Sequence, residues 1–131
     1  MLLATAIFLM LTVLTTNFAS AKVPIVQLID QTTPLLYEIS VTNPGGPGID
    51  KVSITVTAAT IISYTDMVGW EETLDQVSGK DRLTWTAETR KDKLSTHKDM
   101  SFSFALSDDL FIVNWLTYAK KRFTGEIIYH L

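Results

Sequence analysis

Apolar and polar residues alternate with a period of two along much of this chain. Tyr37, Ile39 and Val41 alternate with Glu38, Ser40 and Thr42, and Val52, Ile54 and Val56 alternate with Lys51, Ser53, Thr55 and Thr57. The pattern returns in Leu83, Trp85 and Ala87 and again in Phe102, Phe104 and Leu106. Successive side chains of an extended chain point to opposite faces, so each run predicts a strand with one face on a core and the other in water. Ile61, Ile62 and Tyr64 extend the sheet after a bend near Ala58-Ala59. The stretch from Phe111 to Tyr118 is apolar on both faces and predicts a central strand, and Gly125 to Tyr129 predicts the last one after a Lys120-Lys121-Arg122 connection.

Between the first two runs, Asn43-Pro44-Gly45-Gly46-Pro47-Gly48 combines permissive glycines with prolines that lack an N–H, so no regular element crosses it. Helix signals are scarce. The segment from Glu71 to Val77 admits a turn of helix, although its flanking glycines fit a loop or short strand equally well. Seven or eight short strands without interleaved helices predict an all-β, antiparallel two-sheet sandwich of immunoglobulin-like type. The cysteine pair that marks antibody domains is absent, because the chain has no cysteine.

The first charged residue is Lys22. The uncharged stretch before it ends in Ala19-Ser20-Ala21, small residues that fit the narrow subsites of a signal peptidase, so residues 1–21 read as an export signal cleaved before Lys22. No Lys or Arg precedes the apolar run, and an uncleaved membrane anchor is the alternative. Residues 22–131 then form a single domain, large enough for one core. Without disulfides, an exported domain must hold together by apolar burial and sheet hydrogen bonds, and thiol chemistry is excluded. The net charge of −3 is mild. Basic residues gather at Lys91/Lys93/Lys98 and at Lys120-Lys121-Arg122, both read as solvated loops, which argues against a nucleic-acid footprint.

Catalysis has little to work with. His97 and His130 are the only histidines, one in a polar run and one next to the chain end, and no G-x-S-x-G elbow presents a serine. The acidic pairs Asp108-Asp109 and Glu71-Glu72 offer too few oxygens for a calcium shell of six to eight. The expectation is therefore no enzyme, no catalytic residue, no metal ligand and no cofactor. Trp85 and Trp115 share strand faces with apolar neighbours and read as core residues. Trp70 follows Gly69 outside any alternating run; with Glu71 and Glu72 it is the candidate ligand contact, the competing reading being a tryptophan that closes one end of the sandwich. The segment Val23, Ile25, Val26, Leu28 and Ile29 is the candidate partner strand. It either forms the first strand of its own sandwich, buried on both faces, or leaves to complete a neighbour's sheet.

The strings Val68-Gly69-Trp70, Leu83-Thr84-Trp85-Thr86 and Met100-Ser101-Phe102-Ser103-Phe104 resemble the YcnI-like family of exported, copper-associated domains, and similar strings recur in immunoglobulin-like modules of prokaryotic surface proteins. The resemblance implies an immunoglobulin-like sandwich. That family's copper ligand is a histidine at the mature amino terminus, where this chain has Lys22, so the resemblance bears on the fold and not on the metal. The resulting expectation is a non-enzymatic exported sandwich acting through protein–protein contacts at the cell surface, in the periplasm or in an extracellular assembly such as a fibre or surface layer. The alternative is a secreted module that binds copper or a carbohydrate.

Overall fold

The computed structural model describes residues 22–31 and 33–130, so residues 1–21, read from the sequence as an export signal, lie outside the described residues. Among the described residues nine strands follow one another: β1 (Ile25–Asp30), β2 (Leu36–Thr42), β3 (Lys51–Thr57), β4 (Ile61–Tyr64), β5 (Trp70–Val77), β6 (Lys80–Ala87), β7 (Asp99–Leu106), β8 (Leu110–Tyr118) and β9 (Arg122–His130). One turn of 3-10 helix, Arg90–Asp92, interrupts the connection between β6 and β7. The strands form a five-stranded sheet in the order β9-β8-β3-β6-β5 and a four-stranded sheet in the order β1-β2-β7-β4, every pairing antiparallel. The fold is an all-β sandwich of immunoglobulin-like type.

The period-two runs explain why the sheets face each other. In the register of β3 with β6 and β8, Ile54 stands opposite Leu83 and Trp115, while Val52 stands opposite Trp85 and Thr117. All these residues share the inner face, since directly paired residues of an antiparallel ladder point the same way. The other sheet contributes Tyr37, Ile39, Val41, Phe102, Phe104 and Leu106, all buried. The two layers meet at Trp85, whose ring centroid lies 4.8 Å from that of Phe102.

The Asn43–Gly48 loop is braced from within. Buried Asn43 donates its side-chain amide to the carbonyls of Pro47 and Leu94, both at 3.0 Å, and accepts from the Gly45 N–H. Those backbone groups would otherwise be without partners at a buried turn, a costly arrangement. An isolated antiparallel bridge between Ile49 and Leu94 ties the same loop to the β6–β7 connection.

The structure corrects the sequence-based expectation in three places and decides between its alternatives in a fourth. The described residues form nine strands rather than seven or eight. The segment from Glu71 to Val77, read as a turn of helix, a loop or a short strand, belongs to β5. Beyond Trp70, β5 overhangs: Leu74 and Gln76 pair with inward positions of β6 yet are exposed, so no apolar alternation was there to read. β9 begins at Arg122, which pairs with Tyr118, so the basic connection shrinks to a tight turn. Lastly, β1 is not buried on both faces. Val26 and Leu28 pack partly against the core, whereas Ile25, Gln27 and Ile29 are exposed, because none of the described residues covers the outer side of the four-stranded sheet there.

Candidate interaction surface

The sheet orders leave β1 and β9 at the edges of different sheets but on the same flank of the sandwich. Ile25 stands opposite Thr42 at the end of β2, and Arg122 opposite Tyr118 at the end of β8; both strands therefore start at the end that carries the Asn43–Gly48 loop and run parallel to each other. Among the described residues no ladder joins them. None of the residues of β1, and none from Arg122 to Tyr129 of β9, is fully buried. The inward side chains Val26, Leu28, Ile127 and Tyr129 touch the core and remain partly open to solvent. Among the described residues this flank is thus an open seam bounded by two strand edges with no ladder partner, the feature that natural sheets ordinarily cover or blunt.

The seam is latched at its far end. The Tyr129 hydroxyl donates to the Asp30 carboxylate, and the Tyr129 ring stacks on Phe111 and lies edge-on to Tyr37 with centroids 5.1 and 5.4 Å away. Hydrogen bonding to Asp30 is the main reason that the Tyr129 phenol is pushed up to about 12; desolvation and the charges of Asp30 and Asp109 act the same way. Tyr37 is raised as well, by burial first and then by Asp30 and Asp109.

The sign of the pH effect follows. A phenol that holds its proton more tightly in the folded state contributes stability that is fully present below the unfolded value of about 10 and is lost as the pH rises through about 12. Thermal melts across this range should fall more steeply for the natural chain than for Tyr129→Phe. Parallel curves would show that the latch does not contribute.

Along its length, β1 presents an apolar stripe to water. Val23 is 63% exposed, Ile25 52% and Ile29 42%, and all lie in or directly before the strand. The turn into β2 holds Leu35 at a φ of 67°, a left-handed conformation that a branched side chain takes only under strain. Gly125 marks the facing edge: the Trp115 ring lies flat over it, and a Cβ there would run into the indole.

The candidate ligand contact is not assembled on one surface. Trp70 is only 3% exposed, with its indole edge-on to Phe102 at 5.4 Å. Glu71 points outward, and Glu72 points inward, where its carboxylate accepts the Met67 N–H at 2.8 Å. Gly69, at a φ of 85°, sets up the tight approach that turns the indole inward. His97 lies in the β6–β7 connection and His130 at the last position of β9, at opposite ends of the sandwich, while Asp108 and Asp109 occupy the β7–β8 turn. Among the described residues no three His, Asp or Glu side chains come together.

Sequence reasoning missed the seam residues Ile127 and Tyr129. Their alternation with Glu126 and Ile128 was available, but nothing local says which strand ends up beside which edge.

No known family and no curated protein matches the sequence. The backbone is similar to that of an uncharacterized protein from Nocardia farcinica with an immunoglobulin-like fold, at a TM-score of 0.49 and 12% identity, over 82% of this chain and 98% of that one. It is also similar to a cohesin module from a Clostridium perfringens family 33 glycoside hydrolase, at a TM-score of 0.43 and 11% identity, over 85% of this chain and 98% of that one.

Proposed function

We propose that this chain acts after export, with residues 1–21 removed, as a non-enzymatic protein-contact module that self-associates by exchanging β1 between copies. The observation that carries this reading is the weak hold on β1: six residues, one neighbouring strand, no buried side chain, and an exposed stripe of Val23, Ile25 and Ile29. A strand moved to the same place in a neighbour remakes every native contact, so exchange costs little beyond association itself. Opening the strained Leu35 turn offsets part of that cost. Apolar side chains that stand in water on one copy gain a place to be covered when two copies lie side by side. The copper or sugar alternative centred on Trp70, Glu71 and Glu72 is not favoured, since the buried Trp70 indole offers no stacking platform.

Size-exclusion chromatography with light scattering on residues 22–131 tests the proposal over a range of concentrations. The natural chain is expected to form dimers or larger species. A form lacking Val23 to Ile29 should be monomeric, as should Ile25→Ser/Ile29→Ser, which keeps the strand and removes the stripe. Monomers at every concentration, or equal association of all three forms, would overturn it.

A further inference from the structure

The two basic clusters of the sequence, about thirty residues apart, meet at one end of the sandwich. Arg90, Lys93, Ser95 and Thr96 of the β6–β7 connection and Lys120 of the β8–β9 turn surround a cleft of about 470 Å³ whose remaining wall is Pro47-Gly48. Its frame is rigid. The Thr96 hydroxyl donates to the Gly46 carbonyl at 2.6 Å, Asn43 braces the wall from inside, and the Ala119 N–H to Lys121 carbonyl bond closes the turn that carries Lys120. Cations on braced loops lose little freedom when a ligand arrives.

The nearby carboxylates leave the cleft positive. Asp92 turns away, accepting the Thr89 hydroxyl at 2.6 Å and lying against Gly69. Asp50 approaches Lys93 only to 3.7 Å, and Arg90 and Lys120 have no ion-pair partner among the described residues.

The positive surface continues past the cleft. Two residues after Lys120, Arg122 begins β9 in a row with Tyr118 and Lys51 on the outer face of the five-stranded sheet. This row borders a shallow trough of about 530 Å³ whose floor carries Ser53, Thr84 and Asn114. Arg82, also in the trough, is held by the Asp75 carboxylate at 2.6 and 3.0 Å, which ends the run of free cations.

We infer that this end of the molecule binds a polyanionic glycan, its sulfate or phosphate esters in the Arg90–Lys93–Lys120 cleft and its sugar rings along the Tyr118 trough. A local cationic track on a chain of net charge −3 is not explained by overall composition. Hydroxyls, an amide and an exposed tyrosine beside the cations are donors and an apolar face suited to sugar rings, which a bare anion or an acidic peptide does not require. The inference does not depend on β1 exchange.

Titration calorimetry on the intact domain with dextran sulfate, neutral dextran and polyglutamate provides the test, with dextran phosphate to separate phosphate from sulfate and polyphosphate as a polyanion without sugar rings. Dextran sulfate should bind at low salt and weaken as salt rises. Neutral dextran should not bind, and polyglutamate should bind at least tenfold more weakly. Arg90→Ala/Lys120→Ala should lower the affinity about tenfold with an unchanged near-ultraviolet spectrum, and Lys80→Ala at the opposite end should leave it unaltered. Tighter binding of dextran phosphate than of dextran sulfate would assign the ester as phosphate within the same proposal, whereas tighter binding of polyphosphate, which has no sugar rings, would overturn it. Absence of binding, equal binding of polyglutamate, or full affinity in the double variant would overturn it.

Discussion

Trp85→Ala is expected to lower the unfolding free energy by about 3–5 kcal/mol, read from the midpoint of urea denaturation. Trp85 is fully buried at the point where the sheets meet, tilted against Phe102, and its neighbours belong to paired strands on both sides that cannot close over the vacated volume. The loss has two parts, the transfer of a large apolar surface and the cavity left behind. Trp85→Phe separates packing from polarity. The Trp85 Nε1 has no hydrogen-bond partner among the described residues, so phenylalanine removes an unmet donor while keeping a ring against Phe102. It should cost less than half of the alanine penalty. Similar losses for the two variants would mean that the indole nitrogen is satisfied by water.

The same residue shows why so much of the architecture could be read from the sequence. Trp85 sits between Leu83 and Ala87 on one side of a strand and Thr84 and Thr86 on the other, and a central strand with one face buried has to advertise that face. The runs around Ile54 and Phe102 do so for the same reason. Legibility fails where burial fails. Trp70 is the only buried residue of β5; the other inward positions are Glu72, Leu74 and Gln76, because the strand outreaches the sheet opposite. β1 misled in the other direction: Val26, Leu28 and the exposed Ile25 and Ile29 make an apolar string that reads as doubly covered, whereas none of the described residues forms a layer over its outer side.

The candidate site was legible only in part. Val23 to Ile29 stands out as an apolar segment in need of a partner, and the structure places it at an edge. Its counterpart β9, the Tyr129–Asp30 latch and the convergence of Arg90 with Lys120 all depend on sheet order. Sheet order is fixed by pairings between residues as much as 69 positions apart in this chain, as Leu36 is from Ala105, which no local pattern encodes.

A disulfide across β1 and β2 should decide how copies associate, and its expected effect is complete. Gln27 and Ser40 are directly opposed on the outer face of the four-stranded sheet, at a spacing that antiparallel pairs share with disulfides. The chain has no other cysteine to compete. In Gln27→Cys/Ser40→Cys oxidised as dilute monomer, β1 is tied to its own β2 and cannot leave, so dimers should be lost entirely and return on reduction. Oxidation of the same variant after it has dimerised should give the reverse. Each β1 then lies beside the partner's β2, and the bond links two chains, seen as a covalent dimer on a non-reducing gel. If copies instead add edge to edge with β1 in place, the staple leaves association untouched and every disulfide falls within one chain. The two outcomes exclude one another, since a strand paired with its own β2 cannot also be paired with a neighbour's.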